Sequence, residues 1–299
     1  MELLSKYISP CHFLKNGLFR FTQPNGLNDA YEALPQFSYD QYSQEDWNKA
    51  KQAAEKYGID PNNEEEIEAM FLKPFPYGRY DEKRFPSLWP YQEKRLRERP
   101  FQTLDELDRE IGKKAIELLY KFANEYFLVF SLSRSIASEH MWAYYGDDHK
   151  GLEIRFNRSH PFFSDRTYDV RYNDEYVKVS SKDGWVRICG DKIDTADILN
   201  SSVTTFPLEL LLRKATGWEQ ENEVRVIRNP DEETKIEGDN CYLFEIPREA
   251  FNAIVIGYKT SDECVENVIK KIKEHEKLSH VDIFRRMRTI QGVNEIKLT

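Results

Sequence analysis

In GWEQENEVRVIRNP, residues 217–230, Glu221, Glu223 and Arg225 fall on one side of an extended chain while Val224 and Val226 fall on the other with Asn222. That alternation predicts a strand with one apolar face and one carrying two carboxylates and a guanidinium. EYFLVFSLS predicts a buried strand in which Ser131 and Ser133 flank Leu132, and GLEIRFN, TYDVRY, EYVKVSS, CYLFEIP and NAIVIGY predict further strands. Asn16-Gly17 reads as a turn ahead of a short strand, Leu18 to Thr22, and Asp183-Gly184 as another turn. From about Ser43 to Tyr126 the pattern becomes helical. Ser43 with Asp46 predicts the cap of a helix that stops near Gly58, and Thr103 with Glu106 makes a second capping box. Behind that box Leu104, Leu107, Ile111, Leu118 and Phe122 form an apolar stripe. A short helix is expected from Ser138, and another over Pro207 to Ala215. Val265, Val268, Ile269 and Ile272 mark the inward face of a late amphipathic helix, after which HVDIFRRMR completes a βαβ unit parallel to NAIVIGY. The expected architecture is one α+β domain over residues 1–299, with a mixed, mainly antiparallel sheet, a helical insertion at about 36–125 and the C-terminal βαβ unit.

Composition narrows the classes. With 40% hydrophobic and 13% aromatic residues the chain is built to bury a core. Its 43 Lys and Arg against 52 Asp and Glu leave a net charge of −9, which disfavours a whole-surface grip on nucleic acid or an anionic membrane. One stretch differs: Lys73 to Arg99 carries eight basic residues against four acidic ones, interleaved with Phe75, Tyr77, Tyr80, Phe85, Trp89 and Tyr91. That mixture suits a single strand of nucleic acid, although a helical arm with a mixed surface is the plainer reading. Cys11, Cys189, Cys241 and Cys264 lack zinc-ligand spacing, and no segment has the pattern of a signal peptide or the length of a membrane span. A cytoplasmic protein with no membrane partner and no metal is expected.

No phosphate loop, G-x-G-x-x-G, H-E-x-x-H or G-x-S-x-G is present. Three blocks remain that carry chemistry: LFRFTQPNGLNDAYE with Arg20, Asn28, Asp29 and Glu32; VFSLSRSIASEHMWAYYGDDHKGLEIRF; and WEQENEVR. Each has a plainer reading. The charged face can be a solvated strand face with ion pairs, Ser131 and Ser133 a polar strand face, and Asn28 and Asp29 turn caps. Met141, Trp142 and Tyr145 read best as core packing, Trp218 as packing at the start of the strand, and His149 as part of a surface turn, with Tyr144 on a side that can line a pocket.

Together the blocks resemble a large bacterial family of uncharacterised proteins, Domain of Unknown Function twenty-nine seventy-one. The resemblance rests on Lys6-Tyr7, on Leu27-Asn28-Asp29-Ala30-Tyr31-Glu32 with Ala where Pro is usual, on Phe130 to Gly151, on Trp218, Glu221, Glu223 and Arg225, and on Ala253 to Gly257. More distantly, the order of a strand with a basic residue, a Ser-x-Ser strand followed by a helix, and a Glu-x-Glu strand is similar to ADP-ribosyltransferases of the Arg–Ser–Glu type. That resemblance implies NAD as substrate. Arg20 or Lys6 would hold its phosphate or ribose, Phe130, Ser131 and Ser133 would scaffold the nicotinamide end, and Glu223 would be the catalytic carboxylate. Glu221 would orient a nucleophile, which implies a protein or nucleic-acid acceptor, and Arg225 would keep both carboxylates ionised. An anti-phage or toxin effector is the role such an activity suggests.

Two other functions fit the pattern. Asp282, Glu295 and Lys297 resemble the acidic pair and Lys of metal-dependent nucleases, and the charged cleft can serve a non-catalytic sensor of a nucleotide or a phage protein.

Overall fold

The computed structural model describes residues 2–10, 15–29, 32–37, 44–67, 104–182, 185–188, 191–194, 206–233, 235–238 and 241–298. Ser43, Thr103, the segment Lys73 to Arg99 and the Asp183-Gly184 turn lie outside the described residues. In chain order the strands begin with β1 (Leu3–Ile8), β2 (Phe19–Phe21), β3 (Gln36–Phe37), β4 (Leu128–Ser133), β5 (Leu152–Asn157), β6 (Thr167–Asp169) and β7 (Arg171–Tyr172). They continue with β8 (Lys178–Lys182), β9 (Trp185–Ile188), β10 (Asp191–Asp194), β11 (Arg213–Lys214), β12 (Glu223–Arg228) and β13 (Lys235–Glu237). The last are β14 (Cys241–Phe244), β15 (Phe251–Ile256), β16 (Asp282–Thr289) and β17 (Gly292–Lys297). The helices are α1 (Gln44–Lys56), α2 (Glu64–Ile67), α3 (Leu104–Tyr126), α4 (Glu139–Tyr144) and α5 (Asp262–Glu274).

The chain divides into two compact units, Met1–Ala33 with Phe122–Glu175 and Leu208–Thr299, and Leu34–Lys121 with Tyr176–Pro207. The first is built on an 8-stranded sheet in the order β17-β16-β15-β5-β1-β4-β12-β6. All its pairings are antiparallel except β15 with β16, which α5 connects. The mixed α+β class and the βαβ unit are as the sequence predicts. Capping explains where α5 starts: the Ser261 side chain accepts from the Cys264 N–H, and Asp262 and Glu263 meet the positive end of the helix dipole. Val265, Val268 and Ile272 are its buried row, and Ile269 packs beside them. Phe19, Phe21, Phe130, Phe156 and Phe251 form the aromatic centre of the core, each ring contributing about 1.5–3 kcal/mol of burial. Among the described residues no helix is long and apolar enough to cross a membrane.

In the second unit β10-β9-β8-β3 make a sheet, and Ala50, Ala54, Ile59 and Ile67 of the α1–α2 region form a small core with Trp47 and Tyr57 packed on it. Gly58 follows α1 with φ +73, as a helix stop requires.

Three local expectations change. The buried positions described on α3 include Ala115, Leu119 and Ala123, whereas Leu118 and Phe122 are half-buried, so the inward face lies one position on from these two. The side chains of Leu104, Leu107 and Ile111 lie outside the described residues. Pro207 to Ala215 is no helix but a 3-10 turn at Leu208–Leu211 followed by β11. The strand of the opening alternation begins only at Glu223, because Thr216–Glu221 winds into a 3-10 turn that ends on Asn222 in the left-handed conformation, φ 45.

One close approach fixes the end of β15. A Cβ on Gly257 would lie 2.1 Å from the His149 carbonyl oxygen and 3.0 Å from the Trp142 ring. His149 is itself 8% exposed, buried rather than on the surface, with φ 66. Gly257→Ala is therefore expected to destabilise the protein by about 1–3 kcal/mol or more through overpacking, read as a lowered midpoint of urea unfolding.

Candidate active site

β4 sits between β1 and β12, and this neighbourhood brings most of the candidate side chains together. Register pairs Glu223 with Ser133 and Arg225 with Ser131 across β12 and β4, and Ser5 with Ser133 across β1 and β4. Cross-strand partners share a face, so the polar alternation of three strands forms one polar surface while Val224, Val226, Phe130 and Leu132 enter the core. Over this sheet region lies a cavity of about 190 Å3, lined by Lys6, Tyr7, Asn28, Ser131, Ser133, Tyr145, Lys214, Glu221 and Glu223 among others.

Two cations organise its carboxylates. Arg225, 0% exposed, donates from Nε to Glu223 Oε1 at 2.8 Å and from Nη2 to Glu223 Oε2 at 3.1 Å. The same guanidinium reaches Glu32 Oε1 at 2.6 Å and the Leu211 carbonyl at 2.5 Å. Lys214 Nζ lies 2.6 Å from Glu221 Oε2, 3.3 Å from Glu223 Oε2 and 3.4 Å from Glu32 Oε1, with the Trp218 ring 4.9 Å away. Parallel pairing of β11 with β7 brings Lys214 here. On the other side Asn28 donates to the Tyr145 hydroxyl, which donates to Glu221 Oε1, each at 2.5 Å. Ser133 donates to the Glu221 carbonyl at 2.6 Å and so fixes the 3-10 turn against β4.

The charges follow from these contacts. Burial alone would raise the Glu223 carboxyl, but Arg225, Lys214 and a Ser131 hydrogen bond outweigh it and hold the group at about 2, ionised at any physiological pH. For Glu32 burial prevails over Arg225 and Lys214, and its carboxyl is raised. Burial would lower Lys214, yet Glu223, Glu32 and Glu221 together raise it, so it stays a cation. Lys6 differs: burial lowers it to about 8, against the opposing pull of Glu223 and Glu221. The Tyr145 hydroxyl is pushed up by burial and by its bond to Glu221, so it remains a donor.

Of the residues expected to form the site, Lys6, Asn28, Ser131, Ser133, Glu221 and Glu223 line the cavity. Arg225 stands directly behind Glu223. Phe130 is fully buried on the core face, where Lys6 Nζ lies 4.9 Å from its ring centre. Arg20 is exposed on β2 and does not line the cavity, although its guanidinium comes near Gly26, which does. Asp29 follows Asn28 in the chain but is not part of the wall, and Tyr144 is 67% exposed with its ring on His140. Sequence reasoning missed Lys214, which no motif distinguishes in LLRKATG, and the hydroxyl of Tyr145, read as packing. Its phenol is the signal: a Tyr one turn beyond Met141 places a polar tip where the helix meets a cleft.

The alternative acidic pair is differently engaged. Glu295 is held by both terminal nitrogens of Arg155, and Asp282 is paired with Lys297 at 2.7 Å. Among the described residues no group of three or more His, Cys, Asp and Glu is placed to hold a metal ion.

No curated protein and no solved structure matches the chain. Residues 141–226, from α4 through most of β12 and so including Tyr145, Lys214, Glu221, Glu223 and Arg225 but not Lys6, Asn28 or the two serines, match the family model described as "Protein of unknown function (DUF2971)".

Proposed function

We propose that the cavity cleaves the bond between nicotinamide and ribose in NAD, passing the ADP-ribosyl group to water or to a protein or nucleic-acid acceptor. The observation that carries this reading is Glu223, a carboxylate 5% exposed, kept ionised and fixed on the wall of a sugar-sized hollow. As the C1′–N bond breaks, its electron pair leaves with the nicotinamide ring, and the ribose gains oxocarbenium character. A preorganised carboxylate favours that charge over the neutral ground state, so it lowers the barrier rather than only binding. Hydroxyls of Ser131 and Tyr145 and the amide of Asn28 supply hydrogen bonds for a sugar. Lys214 and Arg225 offset much of the charge of Glu32, Glu221 and Glu223, with the Lys6 amine on the same wall, which suits a ligand with a cationic ring and an anionic diphosphate. At about 190 Å3 the hollow lies below the roughly 300–1,000 Å3 of sites that enclose a whole drug-sized ligand. It takes the nicotinamide–ribose end, with the rest of NAD outside.

Incubating the full chain with NAD, alone and with lysate protein or RNA as acceptor, is expected to release nicotinamide, measured by chromatography. Expression in a bacterial host should lower cellular NAD and slow growth, as an anti-phage or toxin effector would. Thermal stabilisation by NAD without release of nicotinamide would instead favour the sensor reading.

A further inference from the structure

We propose that Lys6 is the base of this cavity, the amine that takes the proton of the attacking water or acceptor, while Lys214 serves as a fixed cation. The role rests on the NAD reading for its substrate, but the state of the amine does not.

The two lysines share one cavity in opposite surroundings. Lys214 is clamped by three carboxylates within 3.4 Å. Lys6, among the described residues, has no carboxylate within ion-pair distance; its Nζ donates to the Ser131 carbonyl at 2.8 Å and lies over the Phe130 ring. Strand pairing explains the difference. β1 pairs with β5 over six positions but with β4 only at Ser5 and Ser133, and Lys6 lies just past that pair, where its side chain bridges to Ser131. The groups that act on Lys6 are Glu223 from β12 and Glu221 from the 3-10 turn, with Lys214 of β11 and Tyr145 after α4 also on the cavity wall; β4 contributes only the neutral Ser131 and Ser133. Burial outweighs the two carboxylates and brings the amine to about 8. A pair of like groups driven apart in this way is the arrangement that separates a base from a permanent charge. Glu221 is less suited to the task, since both its oxygens are taken by Lys214 and Tyr145.

The step balances. The neutral amine keeps one N–H on the Ser131 carbonyl and offers its lone pair to the water proton. As the water oxygen bonds to C1′, the C1′–N electron pair departs with nicotinamide, and Lys6 becomes an ammonium that later returns its proton to solvent.

Two measurements on the full chain decide it. The first is acylation by limiting acetic anhydride between pH 6 and 10, read by peptide mass spectrometry. Only neutral amines react, so Lys6 is expected to label with a midpoint near 8, and Lys214 to follow above it. A Lys6 midpoint level with the surface lysines, or no labelling of Lys6 at any pH, overturns the proposal. The second is nicotinamide release against pH. Wild type should rise roughly tenfold per unit below 8 and then level off, and Lys6→Arg, which keeps the charge and the donor, should lose that rise and about 10²-fold or more in rate. If Lys6→Arg retains both rate and profile, the base role fails while the NAD reading stands. If wild type releases no nicotinamide at any pH, NAD is the wrong substrate and the role in its cleavage falls with it, leaving acylation to decide the state of the amine alone.

Discussion

Arg225→Met should lower the stability to urea unfolding by about 3–5 kcal/mol, the range for removing one partner of a buried ion pair. The guanidinium is 0% exposed and holds both oxygens of Glu223, one of Glu32 and the Leu211 carbonyl. Without it Glu32, Glu221 and Glu223 would share Lys214 as their one remaining cation within ion-pair distance among the described residues. Glu32 is the one that gives way, because burial already raises its carboxyl. The double variant Arg225→Met, Glu32→Gln is therefore expected to recover part of the loss, a coupling that a double-mutant cycle measures. Arg225→Lys should not rescue the single variant, since an ammonium cannot reproduce a planar fork that meets two carboxylates and a carbonyl at once. Additive losses, or a loss below 1 kcal/mol, would mean that the cluster tolerates an unpaired carboxylate and that Glu223 is not held as described.

Glu223→Gln carries the largest expected effect on activity. Loss of the charge that faces the developing oxocarbenium should cost about 10²–10³-fold in nicotinamide release, the scale seen when one preorganised electrostatic contact is removed. The amide keeps the shape of the side chain but turns an N–H₂ toward Arg225 or Lys214, so some destabilisation accompanies it, and the assay belongs beside an unfolding curve. Glu221→Gln serves as the comparison: it loosens Lys214 and Tyr145, yet its group is committed to those partners, and a smaller loss is expected. The ionisation of Glu223 near 2 also sets a sign. Its contribution to stability is present above the ordinary carboxylate value of 4.5 and is lost as pH falls from there toward 2, while Glu32, raised in the folded state, runs the opposite way. No decline in activity between pH 7 and 5 is therefore expected from Glu223.

Much of the sheet and of the cavity wall is legible in the chain, and the reasons are local. Glu223 and Arg225 alternate with Val224 and Val226, and Ser131 and Ser133 alternate with Leu132, so a period of two assigned each to its face before register was known. Ser138 announced α4 because a cap needs only its own backbone: its side chain accepts from the Met141 N–H. Glu221 reaches the cavity wall from a 3-10 turn and not from the strand that the alternation predicts. The stretch Gly217 to Asn222 has no proline, and it has an Asn where a glycine would flag the left-handed residue, so its pattern is that of a strand. Lys214 was invisible because its role depends on pairing between β7 and β11, some forty residues apart. Arg20 is exposed and off the cavity wall, since a cation on a strand beside a loop says nothing of which side the cavity opens.

The most direct test is the time course of nicotinamide release from NAD by folded wild-type protein and by Glu223→Gln. Steady release by the first and near-silence from the second, with both still showing cooperative unfolding, is what a fixed anion beside the breaking bond requires. Intact NAD under every acceptor supplied, or equal rates from the two proteins, would contradict it.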